Sequence, residues 1–168
     1  QELAVQSFGQ FLDDVAQMGQ MEVLGMYEDI SRGSDGKVEG VKQADGSILP
    51  NRRTLYVIGR TRNPPYAYFW RKCVDFGSSH MEWAPWQRIE LEISGDHVMP
   101  YVMGGNLHIV WPQIEFVKQE APRPDVWEIK LAWSLFDGSN WKRTSIAREP
   151  VSVPDLPFMD DRWGFSFR

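Results

Sequence analysis

Polar and apolar positions change their rhythm once along this 168-residue chain. In the opening stretch SFGQFLDDVAQMG, Phe8, Phe11, Leu12, Val15 and Met18 recur three or four residues apart, the spacing of one helical face. Ser7 and Gln10 have capping-box spacing and Gly19 fits a C-terminal stop, so the pattern predicts one amphipathic helix within residues 1–20. A start nearer Glu2 fits the same pattern. Such a helix must lay its apolar face on another element.

Beyond it the period drops to two. MEVLGMYED reads as a first strand, and residues 31–53 then form a polar stretch holding Gly33, Gly36, Gly40 and Gly46. That stretch predicts a long exposed loop with a small hairpin around residues 38–41. Its glycines lack the strand-to-helix setting of a phosphate cradle. From Thr54 strands come densely: TLYVIGRT, YAYFWRKCVDF, WQRIELEI, VMPYVMG, NLHIVWPQIEFV, WEIKLAWSLF and NWKRTSIA. Ile89, Leu91 and Ile93 alternate with Glu90 and Glu92, while Trp127, Ile129, Leu131 and Trp133 oppose Glu128 and Lys130. Half-wet strands of this kind belong to antiparallel sheets. FDGSN reads as a hairpin turn between Phe136 and Trp141.

Laid side by side, the strands repeat weakly. RTLYVIGRT resembles GNLHIVWPQ, YFWRK resembles KLAWS, and WAPWQRI resembles WKRTSI, with EVLGMYED or VMPYVMG ahead of each set. The prediction is a mainly β chain of two successive four-stranded antiparallel units, written as propeller blades are, behind one N-terminal amphipathic helix. Residues 1–168 form one domain: helix 1–20, first β unit 21–94 with the loop 31–53, second β unit 95–149, and a C-terminal tail 150–168. Two blades cannot close a ring, so a larger assembly is expected around them.

Eight Trp, nine Phe and five Tyr support β structure. A net charge of −5 without a run of Lys or Arg argues against a nucleic-acid partner. The single cysteine, Cys73 in YFWRKCVDF, forms no internal disulfide and is expected to be a buried structural thiol. No apolar run reaches the ~20 residues of a membrane span, and no signal peptide is visible. The sequence begins at Gln1, and a piece of a longer or processed protein is expected.

FLDDVAQMGQMEVLGMY, TLYVIGRTRNPPYAYFWRK, WAPWQRIELEISGDHVMPYVMGGNLHIVWPQI and WEIKLAWSLFDGSNWKRTSI occur in this order. Together they resemble the neuraminidase-like region of the A component of bacterial Tc (toxin complex) insecticidal toxins, over residues 8–146. The loop 31–53 is longer than that resemblance leads one to expect, and the sequence after Glu149 has no counterpart in it. The resemblance implies a β-rich part of a very large secreted toxin subunit. Such subunits form pentamers whose outer shell encloses a translocation channel, and this region belongs to the bottom of the shell. The name describes likeness to sialidases and does not establish catalysis.

Sialidase chemistry needs arginines around a substrate carboxylate, a tyrosine nucleophile assisted by a carboxylate, and an acid/base carboxylate. Arg52, Arg53, Arg60, Arg62 and Arg71 are available, but nothing in the sequence gathers them. The Asp-box pattern Ser-x-Asp-x-Gly-x-x-Thr-Trp is approached and not met by SLFDGSNW: Asp137 is one place late, Gly138 follows it directly, and no Thr precedes Trp141. No catalytic residues are therefore expected.

The pair Asp96-His97 admits two readings. As chemistry, His97 would be a base oriented by a carboxylate, or a metal ligand. Yet no Gly-x-Ser-x-Gly elbow exists, and His80, His97 and His108 are dispersed without ligand spacing. As architecture, Gly95 supplies a turn and Asp96 accepts hydrogen bonds from nearby amides where one unit passes to the next. The architectural reading is preferred, with Asp96, His97 and His108 as a structural corner or pH-sensing set. Alternation with Leu107 and Ile109 sends His108 to the opposite sheet face, where a partner subunit is expected. Trp83 and Trp86, with Arg60 and Arg62, are the candidate glycan or partner contacts, and the Trp set as a whole is expected to pack the units.

The sequence thus predicts a noncatalytic structural and interaction domain of a Tc-type toxin A subunit, part of a shell and an aid to its pH-dependent opening. Its partners would be other subunits or domains of a large secreted homo-oligomer, with no cofactor and no metal. A glycan-binding module for host attachment and a sialidase-like glycoside hydrolase are the alternatives.

Overall fold

The computed structural model describes residues 21–154, so the helix expected within residues 1–20 lies outside the described residues. Strands follow one another as β1 (Met21–Ile30), β2 (Gly40–Lys42), β3 (Ile48–Pro50), β4 (Arg53–Thr61), β5 (Tyr68–Val74), β6 (Glu82–Trp83), β7 (Gln87–Ile89), β8 (Met99–Met103), β9 (Asn106–Val117), β10 (Val126–Leu135), β11 (Ser145–Ile146) and β12 (Val151–Pro154). The first sheet runs β1-β4-β5, with β6 and β7 both on the far edge of β5. The second runs β8-β9-β10, with β11 and β12 both on the far edge of β10. Every pairing is antiparallel, as the alternation of apolar and charged residues predicts.

Each sheet has five strands where four are expected, because its outer position is divided. Pro85 stands between β6 and β7, and Pro150 between β11 and β12. Proline has no N–H to give to a ladder, so pairing breaks there and resumes a few residues on. Ala84 N–H still reaches Lys72 O at 2.9 Å, and Ala147 N–H reaches Leu131 O at 2.8 Å, which keeps both broken edges in line. β12 lies in the stretch assigned to the tail, and it pairs with residues 126–129 of the second sheet.

The core lies between the two sheets. Ile58, Tyr68, Trp70 and Ile89 from the first meet Leu107, Ile109, Trp111 and Ala132 from the second, with Val98 from the connection. Trp70 packs edge-on to Phe136 and Trp141, at centroid distances of 5.0 and 6.1 Å. The indole N–H groups of Trp70, Trp111 and Trp141 have no acceptor among the described residues, so packing and ring contacts hold these rings. Where β1 crosses the start of β8, a Cβ on Gly25 would collide with the Val98 carbonyl oxygen and approach Met99 Cα to 3.2 Å. Only glycine lets the two strands come this close.

Three expectations need correction. In WQRIELEI the ladder stops at Ile89, because β5 begins opposite it at Tyr68 and gives way to the Pro64-Pro65 loop, which leaves residues 90–93 no partner. Leu91 and Ile93 nevertheless pack on the core, so the alternation reports burial rather than pairing. In β10 the row of Trp127, Ile129, Leu131 and Trp133 faces outward, while Val126, Ala132 and Ser134 face the first sheet. Ala132 sits opposite Trp111, whose indole fills the inter-sheet space and leaves room only for small neighbours. The hairpin in the long loop is β2–β3 over residues 40–50 rather than 38–41, closed by Gln43 N–H to Ser47 O at 2.7 Å.

Candidate functional site

The corner between the sheets gathers Glu22, Arg60, Asp96 and His97. Gly95 adopts φ +89°, which turns the chain after Ile93 and aims its carbonyl inward. Two donors meet that oxygen: the Tyr68 hydroxyl at 2.6 Å and an Arg60 Nη1–H at 3.0 Å. Arg60 also donates Nε–H to Glu22 of β1 at 2.6 Å, and its guanidinium lies 4.3 Å from the Tyr66 ring centre. Asp96 stands 4.0 Å from Arg60 on one side and 2.6 Å from His97 Nδ1 on the other. One guanidinium therefore ties β1, β4 and the 95–96 turn together.

The register explains the assembly. Glu22 pairs with Arg60 and Arg60 with Tyr68 across β1, β4 and β5, so the three side chains share the inner face. A β-bulge between Val23 and Gly25 brings this about, since it shifts Glu22 onto the face that Arg60 uses. Burial opposes the Arg60 charge, but hydrogen bonding to Glu22 and the nearby Tyr68 outweigh it, and the guanidinium holds its proton more firmly than usual. Burial likewise pushes the Tyr68 phenol above its ordinary range, with Arg60 pulling the other way. The protonated phenol donates its hydrogen bond to the Gly95 carbonyl. Beside the corner opens a cleft of about 650 Å³, lined by Glu22, Arg60, Asp96 and His97 on its polar side and by Met99, Val110, Pro112 and Leu131 on its apolar side.

The candidate residues of the sequence thus separate. Asp96, His97 and Arg60 come together, although Arg60 was expected among the partner contacts and Asp96 was expected to bind backbone amides. Its partners are side chains instead. His108 points away from the inter-sheet core as its alternation predicts, but Tyr101 stacks on it at 4.8 Å and it is buried, with Nδ1 at 3.0 Å from Asn106 O. Arg62 lies exposed in the 62–67 loop. Trp83 and Trp86 sit on the outer face of the first sheet and clamp Arg71, whose guanidinium carbon is 4.0 and 4.5 Å from the two ring centres. Each ring thereby spends one face on a cation within the protein. Arg60's role, with Tyr68 and Glu22, was missed in the sequence. Only the strand register could have placed Glu22 and Tyr68 beside it.

Asp137 organises the FDGSN turn as expected, accepting N–H bonds from Ser139 and Asn140 at 2.9 and 2.8 Å. Lys142 and these amides hold its carboxyl far below the usual carboxylate range. Among the described residues no three His, Cys, Asp or Glu side chains converge on a metal position. None of the described residues forms a helix long and apolar enough to cross a membrane.

Three comparisons bear on this geometry. The family description "Neuraminidase-like domain" matches residues 21–160. Toxin subunit YenA2 of Yersinia entomophaga is 28% identical over 169 residues, a match that takes in 90% of this chain and 12% of that protein. The fold is similar to part of the Morganella morganii TcdA4 structure, with a TM-score of 0.65 and 17% sequence identity, over 89% of this chain and 6% of that one. The chain therefore spans a small part of the relatives it matches.

Proposed function

The chain belongs to the neuraminidase-like domain family, and from there we propose that it serves as a noncatalytic structural and interaction domain of a Tc-type toxin A subunit. In this reading the two sheets act as blade-like units behind an amphipathic helix at residues 1–20. They sit in the shell of a large secreted homo-oligomer whose other domains or subunits touch their outer faces. The observation that carries the reading is the engagement of Arg60. A sialidase-like site needs guanidinium edges free for a substrate carboxylate, whereas Glu22 and the Gly95 carbonyl already take those of Arg60. A brace between strands uses the same groups in this way.

Glycan attachment has less support, because Trp83 and Trp86, which share the outer face of the first sheet, each turn a ring face to Arg71 of the same chain. The test is direct. The purified chain, offered fluorogenic sialosides and a glycan array, is expected to turn over none and retain none. Turnover abolished by Tyr68→Phe or Glu22→Gln would overturn the reading, and specific glycan retention lost in Trp83→Ala would replace it with attachment.

A role in pH-dependent opening belongs to the same reading. His97 is exposed at the rim beside Asp96, with Arg60 and Glu22 behind it. Charging the imidazole adds a cation next to Arg60 and changes what this rim presents to a neighbouring subunit. Replacing His97 and His108 singly with Gln in the full-length assembly is expected to move the pH midpoint of opening for His97. An unchanged midpoint in both variants removes histidine from the mechanism.

A further inference from the structure

We propose that the outer face of the second sheet is the seat of a third antiparallel sheet of the same kind, carried by another part of the same polypeptide. This rests on reading the chain as one piece of a larger subunit. Three observations lead to it.

First, the two sheets stack in the same sense. In the first sheet Tyr27 pairs with Tyr56 and, two residues on, Ile58 pairs with Trp70. Tyr56, Ile58 and Trp70 lie toward the second sheet. The second sheet repeats this ladder: Tyr101 pairs with His108 and, two residues on, Val110 pairs with Trp133. These residues stand on its outer face, opposite to Ile109, Trp111 and Ala132, which meet the first sheet. In a sandwich closed on itself, equivalent faces would meet each other. Here a forward face meets a rear face, and head-to-tail contact of that kind leaves the next forward face open.

Second, the open face is suited to burial. Its strand positions, from Met99 on β8 across β9 and β10 to Val151 and Val153 on β12, include no Asp, Glu, Lys or Arg. A sheet side meant for water carries polar residues at alternate places. Met99, Ile114, Phe116, Trp127, Leu131 and Val151 are 36–66% exposed. Together they leave on the order of 500 Å² of apolar surface open, a size that marks an interaction site.

Third, the contact within the chain shows what fits. The rear face seated on the first sheet is Leu107, Ile109, Trp111 and Ala132, again without charge, so a like sheet brings the matching chemistry. A second copy of this chain cannot supply it in the same way. The rear face of its first sheet is already buried at Val57, Phe69 and Cys73, which are 4%, 2% and 0% exposed, and the rear face of its second sheet lies in the core.

Photo-cross-linking in the full-length subunit tests this. A benzophenone amino acid replaces Leu131 in one preparation and Met99 in another, so that failure of one variant to fold leaves the other probe. Isotopically heavy and light subunits are mixed before assembly, and the cross-links are mapped by mass spectrometry. Both probes should capture residues of the same polypeptide outside this 168-residue stretch, spaced two apart as on one face of a strand. Heavy–light pairs should make up under about a tenth of the products, because tethering holds the partner at millimolar effective concentration. A majority of heavy–light pairs would overturn the proposal in favour of a second copy. Capture confined to residues 1–168, capture at helical spacing, or no capture at all would overturn it too. The mass of the native subunit, read in the same spectra, decides separately whether the chain is part of a larger protein, so failure of that reading is told apart from failure of the docking site.

Discussion

Replacing Arg60 with Ala removes a brace between three segments, and the size of the loss follows from its contacts. The hydrogen bond to Glu22 is charge-assisted, a class worth about 1.5–3 kcal/mol. Glu22 is 39% exposed, so solvent screening puts this bond at the low end. The bond to the Gly95 carbonyl adds about 1 kcal/mol. That oxygen keeps the Tyr68 hydroxyl after the change, so no orphaned acceptor deepens the loss. The Tyr66 ring contact adds about 0.5 kcal/mol at so exposed a site. A total near 3 kcal/mol is expected, which for a chain of this size lowers Tm by roughly 6–12 °C. Urea unfolding followed by tryptophan fluorescence and far-ultraviolet circular dichroism measures it. Asp96→Asn is the control: at 4.0 Å from Arg60 it should cost under about 1 kcal/mol. An Arg60→Ala loss below about 1 kcal/mol, or an equal loss in Asp96→Asn, would refute the brace.

Other outcomes follow from the same packing. Gly25→Ala should cost about 1–3 kcal/mol in the same denaturation assay, because the obstructing Val98 oxygen is backbone and only a strand shift relieves it; a neutral result would show that β1 and β8 do not approach as described. Trp111→Ala should cost about 3–5 kcal/mol, and a loss near that of a surface change would contradict its place in the core. Asp137 has its pKa depressed on folding, so its contribution is present above the unfolded carboxylate value and fades as pH falls through the lower folded value. Carbon-detected NMR titration should find its carboxyl still ionised at pH 3, and a midpoint near that of a free carboxylate would contradict the turn geometry.

Much of the fold was legible because alternation is a local property. β4, β9 and β10 announce themselves, and the FDGSN turn carries its own signal in Asp137. What alternation cannot say is which face of a strand meets the core. The row from Trp127 to Trp133 is the more apolar, yet Ala132 and Ser134 face inward, because Trp111 opposite has already taken the volume. Nor can it say where a ladder ends: Ile89, Leu91 and Ile93 look alike, and only Ile89 has a partner strand. The corner was half legible. Gly95 and Asp96 mark a turn by their chemistry, but Arg60 lies 35 residues from the carbonyl it holds. Its meeting with Glu22 depends on a bulge in β1 that no residue type advertises.

The divided outer strands have a consequence for how the molecule behaves in a crowd. A continuous edge strand is a template, and a foreign chain that pairs along it gains a hydrogen bond at nearly every step. Here the far edges are cut into pieces of two to four residues by Pro85 and Pro150. A visiting strand would lose its register at each interruption before it had gathered enough bonds to stay. On these two edges the interruptions thus disfavour pairing with a foreign strand.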